Sequence, residues 1–232
     1  MDKREEKLEA ILSLLHSKAS VKQAVYRNTL SHFSDMKKIA LSIVEELTRR
    51  IAGLDRSVEV KYRDSGQFEF QVKLSGDLVV FSMHSNVVTF PDEHLLSSND
   101  YIQAAPRRRY FGALMVYNFL ADSLKYNRLN DEGYLIARMF INIEDHFYIE
   151  GVRQLNFLYP DITNNVLNNN IFREFIESAL IASMDNDSVM TGFEMDKTIS
   201  VGQKLHQSMV GSISKVGFEI KGEKQDTKYL RK

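Results

Sequence analysis

The chain has 232 residues with a net charge of −1, 44% apolar and 26% charged residues, and no cysteine. That balance is ordinary for a globular protein of one domain, or one domain plus an appendage. It excludes disulfides, thiol nucleophiles and cysteine-built zinc sites, and leaves no global field to draw nucleic acid or an anionic membrane. The first residues, "MDKREEKLEA", contain no apolar core of signal-peptide length, and no apolar run reaches the roughly 20 residues that span a bilayer. The expectation is a soluble, cytoplasmic chain with no membrane partner.

In chain order, the first elements are helical. Leu8, Ile11, Leu12 and Leu15 recur at i, i+3, i+4 and i+7, and a stronger stripe follows in Leu30, Phe33, Ala40, Ile43, Val44, Leu47 and Ile51. Arg49, Arg50 and then Gly53 are the residues that a helix C-terminus favours. Residues 5–52 read as one long helix, or as two joined at Ala19-Ser20-Val21. The period then changes to two. Val58, Val60 and Tyr62 alternate with charges, "DSG" turns the chain, and Phe68, Phe70, Val72 and Leu74 alternate with Glu69, Gln71 and Lys73. "SGD" leads into Leu78–Phe81 and "HSN" into a strand over Val87–Phe90, so antiparallel hairpins with one wet face are expected.

Residues 91–109 form a long connection with a helical turn expected at Asp92–Leu96, and connections of this length are often functional. "YFGALMVYNFL" and "YLIARMFINI", either side of "NRLNDEG", read as a third hairpin, with a helix over 109–126 as the competing reading. After Pro160, Ile171, Phe172, Phe175, Ile176, Ala179 and Leu180 make a helical stripe. The remainder suggests a weak helix at Ile199–Val210, a short strand at Val216–Ile220 and a basic end.

The fold class is therefore α+β: a twisted antiparallel sheet of about five to seven strands with N-terminal and C-terminal helices packed on one face. Residues 1–56 are an N-terminal helical segment on the sheet, 57–185 the sheet and closing helix of the same domain, and 186–232 a weakly structured basic tail. The element order resembles that of small dimeric secretion-chaperone-like domains, in order alone and with no motif attached.

Chemistry has few places to sit. In "EDH", Glu144 and His146 lie two apart, so on a strand they share a face, as two ligands of a divalent metal or a proton-sharing pair do. His84 and His94, flanking Val87–Phe90, are the nearest sources of further ligands. The alternative is a bend where a strand end meets water. Acids on the hairpin (Asp64, Glu69), with Glu45 or Glu46 on the helix before it, evoke a metal-dependent nuclease, but Gln71 stands where such a site needs lysine. Arg107, Arg108 and Arg109 in "PRRRYF" are the densest basic patch, suited to a carboxylate, a phosphate or a partner surface. On a strand they divide between two faces, and Asp100 or Glu93 is their expected ion-pair partner. No glycine-rich phosphate loop, nucleophile elbow or His-Glu-x-x-His occurs. The expectation is a non-enzymatic binding or adaptor domain, homodimeric through its long helix and the apolar later strands, with a protein partner and no cofactor. The alternatives are a metal-dependent hydrolase using Glu144 and His146, and a nucleic-acid binder using Arg107–Arg109 and the tail.

Overall fold

The computed structural model describes residues 3–185 and 198–211. The expected strand at 216–220, the basic end and most of the 186–232 tail lie outside them. The chain opens as one helical rod: α1 (Lys3–Leu14) runs through a π-helical turn (Leu15–Ala19) into α2 (Ser20–Arg50). The joint expected at Ala19-Ser20-Val21 is thus this local widening of the helix, four residues earlier in its start, and not a break. Beyond it, Val25, Thr29, Phe33, Met36, Ala40, Ile43 and Val44 are buried at helical spacing. Gly53, at φ +110°, turns the chain out of the helix, as a residue without a Cβ allows.

The sheet is an antiparallel meander of β1 (Val60–Asp64), β2 (Glu69–Leu74), β3 (Asp77–Met83), β4 (Phe111–Leu120), β5 (Glu132–Asn142) and β6 (Phe147–Gly151), paired in chain order. A seventh strand, β7 (Thr198–Ser200), pairs with Glu132–Tyr134 of β5. The 109–126 stretch is therefore mainly strand, β4, followed by a short helix α4 (Ala121–Lys125). Of the strand expected at Val87–Phe90, only a single bridge from Val88 to Phe111 forms. Pro91 follows at once and cannot donate to a ladder. Over Asp92–Leu96 the backbone makes two successive hydrogen-bonded turns, His94 N–H to the Pro91 carbonyl and Ser97 N–H to the His94 carbonyl, which do not continue as a helix. A short helix α3 (Asp100–Gln103) forms instead, its first turn capped by the Asn99 side chain, which accepts from the Tyr101 amide.

Alternation divides the strand side chains between two layers. Phe70, Val72, Val79, Phe81, Leu114, Val116, Met139 and Ile141 face α2 and α5 (Asn169–Met184), whose Phe172, Phe175, Ile176 and Ala179 complete the main core. A bulge between Val116 and Tyr117 in the β4–β5 register makes Ile136 an extra residue. It lets Ile136 and Ala137 both join this core, while Leu135 turns to the opposite face. That face is less wet than expected. Phe111, Ala113 and Phe140 meet Leu96, Ile102 and Ile162, and Val80 and Phe119 meet Val201 of α6 (Val201–Gly211). α2 and α5 thus pack on one face, whereas α3, within the 84–110 connection, and the start of α6 cover much of the other, so the expectation that the helices share one face does not hold for these two. No helix among the described residues is long and apolar enough to cross a membrane.

Candidate functional site

The site grows from the connection that crosses the outer face. Pro106 holds Ala105 extended (φ −148°, ψ 120°) and then opens a 3₁₀ helix, Pro106–Arg109. The strand expected here, which would split the arginines between two faces, is replaced by a tight turn. Arg107 and Arg108 both reach Glu144. Arg107 donates from Nε and Nη2 to Oε1 at 3.1 and 2.8 Å, and Arg108 donates from Nε to Oε2 at 2.9 Å. Glu144, and neither Asp100 nor Glu93, is their ion-pair partner, because the register of β4 against β5 sets the start of β4 beside the end of β5.

Glu144 does not sit on a strand. Ile143–Asp145 form the turn between β5 and β6, with Asp145 left-handed at φ +62°, a conformation that Asp tolerates. Buried Asn142 builds this turn: its Oδ1 accepts from the amides of Glu144 and His146 at 2.9 and 3.1 Å. Its Nδ2 donates to the Tyr101 hydroxyl at 3.1 Å, which donates in turn to Glu144 Oε2 at 3.0 Å. The Tyr101 ring lies between the Arg108 guanidinium, 4.2 Å from its centroid, and the His146 ring at 4.3 Å. His146 Nδ1 meets the Ile162 carbonyl at 2.8 Å, and since a carbonyl only accepts, the proton is on Nδ1. Asp145 Oδ1 accepts from Asn28 Nδ2 and His32 Nε2 of α2 at 2.6 and 2.7 Å. The "EDH" run is therefore a clasp: Glu144 holds the connection, Asp145 holds α2, and His146 holds the loop before α5.

Both Glu144 oxygens are committed to cations and a hydroxyl. Burial lifts the pKa of its carboxyl, but the hydrogen bonds from Arg107, Tyr101 and Arg108 outweigh that and hold it below the ordinary glutamate value. Tyr101 is shifted up, by burial first. A carboxylate so neutralised is a poor base, and two guanidinium groups repel a metal cation. The four residues expected to supply metal ligands do not converge. His84 is bonded to the Asn86 backbone, and His94 stacks on Phe90 at 4.2 Å with Nε2 3.5 Å from Glu150. Glu144 and His146 are tied as above, and no three histidines or carboxylates among the described residues form a metal-holding group. The nuclease candidates are also dispersed: Asp64 pairs with Lys37, Glu46 with Arg50 and Arg173, and Glu69 with Gln71 and Lys204.

Because the folded pKa of Glu144 is depressed, the clasp stabilises fully above the ordinary value of about 4.3 and loses its effect as pH falls through the lower folded value. The melting-temperature gap between the parent and Glu144→Gln is expected to be widest near neutral pH and to close in acid. A gap independent of pH would show that the Glu144 charge contributes nothing.

Arg109 takes no part in the clasp. It lines a cleft of about 250 Å³ with Phe90, Asp92, Leu96, Ser97, Ile102, Gln103, Pro106 and Phe111. Comparison with protein-family models, curated proteins and solved structures finds no match for this chain. The cleft and its clasp thus stand on their own geometry. Sequence reasoning found Arg107–Arg109, Glu144 and His146 but missed Tyr101, Asn142, Asn28 and His32. Of these only Asn142 carries a local signal, an asparagine two residues before a turn acid, which is how Asx turns begin.

Proposed function

We propose that this protein is a non-enzymatic cytoplasmic binding domain whose cleft seats an apolar side chain of a partner protein, with an adjacent carboxylate held by Arg109. The observation that carries this reading is the pairing of opposites at one mouth. Phe90, Leu96, Ile102 and Phe111 supply apolar walls, and Arg109 stands exposed beside them with no ion-pair partner among the described residues. The neighbouring arginines are spent on Glu144, so the clasp serves binding indirectly, by fixing the connection that forms one wall. A volume of about 250 Å³ lies below the roughly 300–1,000 Å³ of small-molecule pockets, and suits one anchoring side chain better than a cofactor.

The test is an NMR titration with two capped dipeptides, N-acetyl-Leu-Asp-amide and N-acetyl-Leu-Asn-amide. The acidic peptide is expected to shift resonances of Phe90, Ile102 and Arg109, and to bind about two- to fivefold more tightly than the amide analogue, given the roughly 0.5–1 kcal/mol of an exposed ion pair. Arg109→Glu is expected to abolish that preference. Shifts elsewhere, no shift at millimolar peptide, or a preference that survives Arg109→Glu would each overturn the reading.

A further inference from the structure

Every residue of α1 is exposed, although its Leu8, Ile11 and Leu12 lie along one stripe with Leu15 of the π-helical turn, at 56%, 54%, 38% and 54% exposure. The first α2 residue buried in the body is Val25. Residues 3–18 are exposed throughout, so at about 1.5 Å per residue roughly 24 Å of helix stands clear of the domain, and by Lys22 the helix has reached the Tyr110 ring. Helices of this length owe their stability mainly to packing of an amphipathic face, and here that face meets water. Rows of large exposed apolar side chains mark association surfaces.

The spacing Leu8, Leu12, Leu15, Ala19 is the alternating four-three-four seam of a helix pair. Charge specifies the mate and its direction. Residues 5–9 hold Glu5, Glu6 and Glu9 against Lys7, while residues 16–22 hold Lys18 and Lys22 and no carboxylate. Setting Leu12 against Leu15 of an antiparallel copy also sets Leu8 against Ala19 and lays the acidic stretch along the basic one, twice by symmetry. A parallel pair sets like charge on like. Burial and the neighbouring Lys18 already push the Lys22 pKa down, a strain that facing carboxylates relieve. Paired arms bury on the order of 1,000 Å², the low end of specific interfaces.

We infer that the chain forms a homodimer by antiparallel pairing of residues 3–22 with the same residues of a second copy. None of residues 3–22 lines the cleft, although Lys22 lies over the Tyr110 ring beside the cleft residues Arg109 and Phe111, and the inference does not depend on what the cleft binds. Sedimentation equilibrium of the full chain is expected to show a micromolar dimer. Leu12→Glu with Leu15→Glu is expected to weaken it by about 100-fold or more, without altering the melting temperature of the body. Glu5→Lys/Glu9→Lys and Lys18→Glu/Lys22→Glu are each expected to lose self-association and to pair with one another when mixed. With no native cysteine, Leu8→Cys and Ala19→Cys chains are expected to cross-link to each other on oxidation. A chain that stays monomeric, including one that pellets instead with phosphatidylserine vesicles, would overturn the inference. So would a dimer indifferent to Leu12→Glu/Leu15→Glu, or disulfides formed preferentially between two Leu8→Cys chains.

Discussion

Gly112→Ala is expected to lower the unfolding free energy by about 1–3 kcal/mol, toward the upper end of that range. A Cβ at Gly112 would lie 1.9 Å from Thr29 Oγ1 and 2.7 Å from both Thr29 Cβ and Cγ2. Rotating the Thr29 side chain moves Oγ1 and Cγ2 but not Cβ, which is fixed to the helix backbone. Thr29 is fully buried and its hydroxyl donates to the Val25 carbonyl, so it has no open space to enter. Relief therefore requires α2 to move off β4, loosening Phe33 and Met36 in the core and drawing Asn28 and His32 away from Asp145. Urea denaturation should show a lower midpoint at unchanged slope. Thr29→Gly alone costs about 1 kcal/mol as a glycine in a helix interior, but it removes all three clashing atoms. The double variant is then expected to be more stable than the sum of the singles by more than about 0.5 kcal/mol. Strict additivity would mean that the helix does not approach the strand this closely.

Glu144→Ala is expected to cost about 2 kcal/mol and to release the connection locally. The change strands Arg108 and the Tyr101 hydroxyl, both half-buried, without their acceptor, and charged hydrogen bonds contribute about 1.5–3 kcal/mol. Arg107 is 60% exposed, so water replaces its partner and its share is small. Glu144→Gln keeps the shape but not the charge, and should fall between the parent and the alanine variant. Hydrogen exchange adds what a melting curve does not: amides of 99–110 are expected to exchange faster in Glu144→Ala while those of β2 and β3 do not. A loss spread evenly over the sheet would make Glu144 a general stabiliser and not a clasp. The same proteins decide the metal-dependent alternative. Millimolar magnesium, manganese or zinc should leave the parent's melting temperature unchanged, whereas a metal-bound site predicts a rise that Glu144→Ala abolishes.

The strands were readable from local pattern wherever one face was apolar and the other charged, as in Phe70 and Val72 against Glu69, Gln71 and Lys73. The pattern misled where the backbone serves the connection instead of the sheet. Val88 and Phe90 have the composition of a strand because their side chains pack with Phe111 and Phe140, yet only Val88 makes a ladder contact. "PRRR" carries too few residues for any period, so a strand and a 3₁₀ turn fit it equally well until Glu144 is in place.

By itself the sequence determined the α+β class, the antiparallel hairpins that became β1–β2–β3 and β4–β5, the long N-terminal helix and the absence of thiol chemistry. These follow from properties that act between near neighbours: alternation, helical spacing, turn residues and composition. It also located Arg107–Arg109, Glu144 and His146 as chemically dense positions. Only the tertiary structure decided what they do. Asn28 and Asp145 are 117 positions apart, and Arg107 and Glu144 are 37 apart. Their meeting depends on strand register, on a glycine that admits α2 to β4, and on a proline that sets a 3₁₀ turn. Which arginine is neutralised and which is left at the cleft is a property of that register, and no local pattern encodes it.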